Sequence, residues 1–117
     1  MAGISTHVLN TVTGSPGAGM RIDFSIWDEH RYRLLKTVVT NRDGRTDEMI
    51  LKPEDTSVGR YELVFHVGEY FARLGTALPD PAFIDTVPVR FAVFDIKQHY
   101  HVPMLATPWS CTTYRGS

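Results

Sequence analysis

A chain of 117 residues, 43% apolar and 21% charged, can bury one sizeable core and is too evenly mixed for a disordered protein. A formal net charge of −1 without any Lys/Arg cluster argues against nucleic acid as a partner. No apolar run reaches the ~18 residues of a membrane span, and no basic stretch leading into an apolar one opens the chain; the expectation is a cytoplasmic protein with no membrane partner.

Taken in chain order, the pattern is mostly β. Strands are expected near 4–11, 20–28, 32–40, 46–50, 60–67, 87–95, 98–106 and 109–115. In the first, Ser5, His7 and Leu9 share one face and Thr6 and Val8 the other. Met20, Ile22, Phe24 and Ile26 then alternate with Arg21, Asp23 and Ser25, the period of a half-buried strand. Tyr61, Leu63 and Phe65 repeat the pattern, as do Val87, Val89, Phe91 and Val93. Turn formers separate the runs at 14–19, 41–44, 53–59 and 78–82. Only 69–74 reads as a short helix, with Tyr70, Phe71 and Leu74 on one face. Eight short strands at this spacing predict an all-β, two-sheet sandwich in a single domain, 1–117. Pro103 lies inside one expected strand and cannot donate to a ladder, so an edge position or a bend is expected there.

Few residues carry chemistry. His99 and His101 are two apart in a strand and therefore share a surface, which suits either a metal site or an acid–base pair. His7 alone reads as a polar surface residue and Arg45 alone as a solvated turn residue. His30 and His66 stand alone and read as structural. The lone Cys111 can form no internal disulfide and matches no metal motif. The end of the chain is unusual, because Tyr114, Arg115, Gly116 and Ser117 place a phenol, a guanidinium and a hydroxyl beside the terminal carboxylate.

Four segments together resemble the 5-hydroxyisourate hydrolase family, the transthyretin-related enzymes of purine breakdown. They are Ile4-Ser5-Thr6-His7-Val8-Leu9-Asn10, Asn41-Arg42-Asp43-Gly44-Arg45, His99-Tyr100-His101-Val102-Pro103 and the terminal Tyr114-Arg115-Gly116-Ser117. The resemblance runs from about residue 4 to the end. It implies a transthyretin-like sandwich assembled as a homotetramer, and hydrolysis of the six-membered ring of 5-hydroxyisourate with no cofactor and no metal. It also implies catalytic roles for His7, Arg45 and His101, and substrate contacts from His7, Arg45, His99, Tyr114 and Ser117. The tail is what separates such hydrolases from the carrier transthyretins, which resemble them in fold. Met104 to Thr113 departs from the family pattern, where a leucine run, Ser-Pro and a tyrosine-rich segment are commoner.

The residue types suit that chemistry. Imidazole exchanges protons near neutral pH, and a guanidinium offers a planar fork of donors to a carbonyl-rich ring. Two rival readings remain at this stage. Three histidines could activate a zinc-bound water, and a similar sandwich could carry a small aromatic ligand without reacting.

Overall fold

A computed structural model describes residues 3–117. Its elements are β1 (Gly3–Asn10), β2 (Ser15–Pro16), β3 (Arg21–Trp27), β4 (Tyr32–Val39), a 3-10 turn (Pro53–Asp55), β5 (Gly59–Phe65), α1 (Val67–Arg73), β6 (Val87–Val93), β7 (His99–Ala106) and β8 (Cys111–Thr113). They form two four-stranded sheets, ordered β2-β1-β7-β8 and β4-β3-β5-β6. β1 and β7 run parallel, whereas every other pairing is antiparallel. This is the expected sandwich.

The alternation read from the sequence decides which side chains meet between the sheets. Ile4, Val8, Ile22, Phe24, Tyr61, Leu63, Phe65, Tyr100, Val102 and Met104 all point inward and are buried. Phe24 stacks on Tyr61 with ring centroids 5.6 Å apart, and the Tyr61 hydroxyl donates to the Ser57 carbonyl at 2.9 Å. Such a ring pair adds roughly 0.5–1.5 kcal/mol beyond the area it buries.

Three expectations need correction. Residues 46–50 form no strand. Asp47 and Glu48 face solvent there, and the chain pairs with β1 through a single bridge, the backbone bonds between Ile4 and Leu51 at 2.9 and 3.2 Å. The eighth strand is instead Ser15–Pro16, in a stretch read as turn, which pairs with Leu9 and Asn10. The helix begins two residues before its expected start, at Val67, so Val67 joins Tyr70 and Phe71 on the buried face while Leu74 is exposed.

Pro103 is the third. It lies neither at a sheet edge nor at a bend but in β7, between β1 and β8. Its carbonyl accepts from Thr113 Oγ1 at 2.8 Å, so its nitrogen faces the same side, just past the point where β8 stops. The missing donor is therefore aimed where the ladder has ended, and β8 is correspondingly shorter than the expected 109–115.

Because Phe24 is fully buried against Tyr61, Phe24→Ala should destabilise the fold by about 3–5 kcal/mol in urea denaturation. Val12→Ala, at an exposed loop position, should stay within about 0.5 kcal/mol of the parent chain.

Candidate active site

On β1 and β7 the residues that do not enter the core form one outer surface. The parallel register sets Gly3 beside His99, Ser5 beside His101, His7 beside Pro103 and Leu9 beside Leu105. His7, His99 and His101, drawn from opposite ends of the chain, thus lie half-buried on one face of one sheet. The His99 and His101 rings stack at 6.4 Å with an interplanar angle of 18°. Ser5 Oγ sits between them, 2.7 Å from His99 Nε2 and 2.8 Å from His101 Nδ1. Ser5 was legible as a same-face neighbour of His7, but nothing in its residue type singled it out.

The Asn41–Arg45 turn is bound to this surface from the side. Asn41 Oδ1 accepts the backbone N–H groups of Asp43 and Arg45, and the Asn41 N–H donates to the Arg45 carbonyl at 2.7 Å. The Gly44 carbonyl accepts from Val8 N–H at 2.7 Å. At a φ of 75°, Gly44 lies so close to the Val8 carbonyl that a side chain would collide with it. Docked this way, the turn sets the Asp43 carbonyl 3.1 Å from His7 Nε2. A carbonyl only accepts, so Nε2 carries a proton and Nδ1 is the atom His7 offers outward. Arg45 is exposed beside the histidines, and among the described residues no carboxylate pairs with it.

The tail returns to the same place. Gly116 N–H donates to the His101 carbonyl at 2.8 Å. A Cβ on Gly116 would lie 2.6 Å from His101 Cδ2, so only glycine lets the tail lie against the ring at this position. Arg115 holds it there, donating to Gln98 Oε1 at 2.9 Å and the His99 carbonyl at 3.1 Å, with its guanidinium 4.6 Å above the Tyr100 ring. Tyr114 does not join the histidines within one chain. It lines an apolar cleft of about 280 Å³ between β6 and β8, together with Phe91, Phe94, Tyr100 and Val102. Ser117 is exposed one residue beyond the Gly116 contact.

The groups acting on His101 fix its charge. Burial, followed by the positive charges of Arg45, His99 and His7, lowers its pKa below the ordinary 6.5, so the ring is neutral at pH 7. Among the described residues no group of three or more His, Cys, Asp or Glu side chains is disposed to hold a metal. His66 lies apart, with Nε2 2.8 Å from Asp23 Oδ2 and Nδ1 3.2 Å from Arg21 Nη2. The His30 backbone N–H caps Asp28, away from the cluster. Burial raises the Cys111 thiol pKa, which keeps it protonated and unreactive.

A family model described as the HIUase/Transthyretin family matches residues 4–116. The chain is 49% identical over 118 residues to the 5-hydroxyisourate hydrolase of Ralstonia nicotianae, covering 100% of both proteins. Among solved structures, it superposes on (S)-allantoin synthase with a TM-score of 0.91 at 40% identity, covering 99% of this chain but only 44% of that one. Sea bream transthyretin in complex with thyroxine matches with a TM-score of 0.85 over 97% of this chain and 93% of that one. At 22% identity that match is one of fold alone.

NMR titration of the His101 ring should give a midpoint below 6.5, and one at or above 6.5 would contradict the surroundings described here. The unfolded ring binds its proton more readily than the folded one. The ring's contribution to stability is therefore fully present above 6.5 and is lost as pH falls through the folded value.

Proposed function

The chain belongs to the HIUase/transthyretin family, and on that footing we propose that it hydrolyses 5-hydroxyisourate to 2-oxo-4-hydroxy-4-carboxy-5-ureidoimidazoline in urate degradation. One observation carries the reading beyond the family: the three imidazoles of His7, His99 and His101 share one face with the unpaired guanidinium of Arg45 beside them, and one imidazole, His101, is neutral at pH 7. Proton acceptance from water at neutral pH needs such a ring.

In the proposed reaction water loses a proton to His101 and its oxygen adds to the C6 carbonyl carbon. Negative charge develops on the carbonyl oxygen, and Arg45 offsets it. The bond from C6 to ring nitrogen N1 then breaks, and N1 takes a proton from His7, which enters this step doubly protonated, with Nε2–H on the Asp43 carbonyl and the second proton on Nδ1. Exchange with solvent resets both rings. A donor fixed opposite a developing oxyanion contributes roughly 3–4 kcal/mol in comparable acyl transfers. His99 stacks beside His101 and contacts the substrate. The chain's own residues suffice for each step, with no cofactor and no metal.

Assembly as a homotetramer belongs to the same proposal. β6 and β8 are the outermost strands of their sheets, and the apolar cleft lies between their edges. Unpaired edges flanking an apolar cleft suit pairing with a second copy. The half-buried histidine face would lie at a further contact between copies, where Tyr114 and Ser117 close the site and a shallow surface becomes a pocket. Among the described residues no helix is long and apolar enough to cross a membrane; we place the enzyme in the cytoplasm. The carrier alternative, a passive channel for an aromatic ligand, gives no role to the paired imidazoles or to the tail.

Turnover is read from the ultraviolet absorbance of fresh 5-hydroxyisourate above its spontaneous decay. His101→Asn and His7→Asn should each cut kcat, approaching the roughly 10²–10⁴-fold of general acid–base catalysis. Arg45→Lys should raise KM and lower kcat, because it keeps the charge and loses the fork. Deleting residues 114–117 should abolish activity in a folded protein, and His30→Asn should be silent. Full turnover in both histidine variants would overturn the acid–base roles given to His7 and His101, and a wild type that leaves the spontaneous decay unchanged would replace the hydrolase reading with the carrier. Light scattering should return four times the 13.2 kDa of one chain; a monomer would refute the assembly.

A further inference from the structure

We propose that Ser5 is a positioning residue whose hydroxyl fixes His99 and His101 as Nδ1–H tautomers, leaving His101 Nε2 bare as the atom that accepts the proton of water. This deepens the reading of His101 as the base, and rests on it. Ser5 Oγ lies within hydrogen-bond distance of two ring nitrogens, at 2.7 and 2.8 Å. A hydroxyl has one proton to give and can accept two, so at most one of the facing nitrogens can be bare.

The two rings turn different atoms toward Ser5. His99 turns its distal Nε2 inward, which leaves only Nδ1, next to its own backbone, for any other partner. His101 turns Nδ1 inward and leaves its distal Nε2 free. Only His101, then, can extend a ring nitrogen away from the sheet toward a ligand. If His101 Nδ1 were bare, the neutral ring would carry its proton on Nε2 and could not act as a base. The competent arrangement has His101 Nδ1–H donating to Ser5 Oγ. The Ser5 proton is then free to go to His99 Nε2, which puts the His99 proton on Nδ1. Both ring nitrogens that face Ser5, and the Ser5 proton itself, are thereby used.

This arrangement matters most in the transition state. As His101 Nε2 takes the proton from water, positive charge develops on the ring and the Nδ1–H···Oγ bond becomes charge-assisted, hence stronger. An interaction that strengthens with the developing charge raises kcat rather than substrate affinity. The backbone gives Ser5 this place by register, since it is the partner of His101 across the β1–β7 pairing.

The test uses the intact protein and two variants. Long-range proton–nitrogen NMR, at a pH above the ring titrations, reads which nitrogen carries the proton in each imidazole without any substrate. The wild type should show Nδ1–H on both rings. Ser5→Ala should leave tautomer mixtures and lower kcat by roughly 10- to 100-fold, the range of a hydrogen bond to a charged group, with KM changed less than about twofold. Ser5→Thr keeps the hydroxyl and suits a strand, so it should restore both the tautomers and most of the rate. Nε2–H on His101 in the wild type would overturn the proposal. So would a Ser5→Ala variant with unchanged tautomers and kcat within about twofold. A folded wild type with ordered Nδ1–H tautomers but no turnover would overturn the hydrolase reading instead.

Discussion

The pairing of β1 with β7 is the constraint on which the rest depends. Eight consecutive residues of each strand run parallel, from Gly3 beside His99 to Asn10 beside Ala106. Side chains alternate across a sheet, so a one-residue slip would bury the histidines and expose the core. The inward residues prevent it. Ile4, Val8, Tyr100, Val102 and Met104 fill the space between the sheets, and Thr6 Oγ1 donates to the Val102 carbonyl at 2.7 Å. Packing on one face thus sets the geometry on the other. The residues that stabilise the fold are not those offered for chemistry, yet they occupy the same two strands.

The remaining side of β1 is covered piecemeal rather than by one strand, and that positions Arg45. Leu51 meets Ile4, Gly44 meets Val8, and β2 meets Leu9 and Asn10. A regular strand over 46–50 would have run alongside β1 and carried the turn away from the surface. The tail follows a similar logic. Pro103 denies β8 a further ladder bond, residues 114–115 leave the sheet, and Gly116 rejoins at His101 with Arg115 anchored on Tyr100. A break in the ladder is what carries the end of the chain across the site.

Much of this was legible in the sequence. Period-two alternation found β3, β5 and β6 because each turns one face toward the core, where the hydrophobic effect writes a pattern, whereas β4 is exposed along most of its length. The reading failed where partners, not local preference, decide. Ser15 and Pro16 look like turn residues and pair only because β1 is there to receive them. Residues 46–50 look like a strand but have a single bridge to join, at Leu51. Pro103 is excluded from most central strands, and nothing local announces that its neighbour will stop in time. The histidines and Arg45 were found through motifs. Ser5 was not, because its chemistry comes from two rings more than ninety residues away along the chain.

The electrostatics of the site point the same way as its geometry. Among the described residues each charged group acting on His101 is positive, and the Asp43 carbonyl on the Asn41–Arg45 turn already accepts from His7. No carboxylate among the described residues pairs with this cluster, which resists protonation until something electron-rich enters. A carbonyl-studded ring does that. In the proposed reaction the negative charge growing on its oxygen would offset the field of Arg45, and the penalty on a protonated His101 would fall while that ring takes the proton from water. On that proposal the ring's affinity for a proton would rise during the step that requires it. Burial and then Arg45 hold His101 neutral in the free protein, and in the proposed reaction the same guanidinium would stabilise the oxyanion.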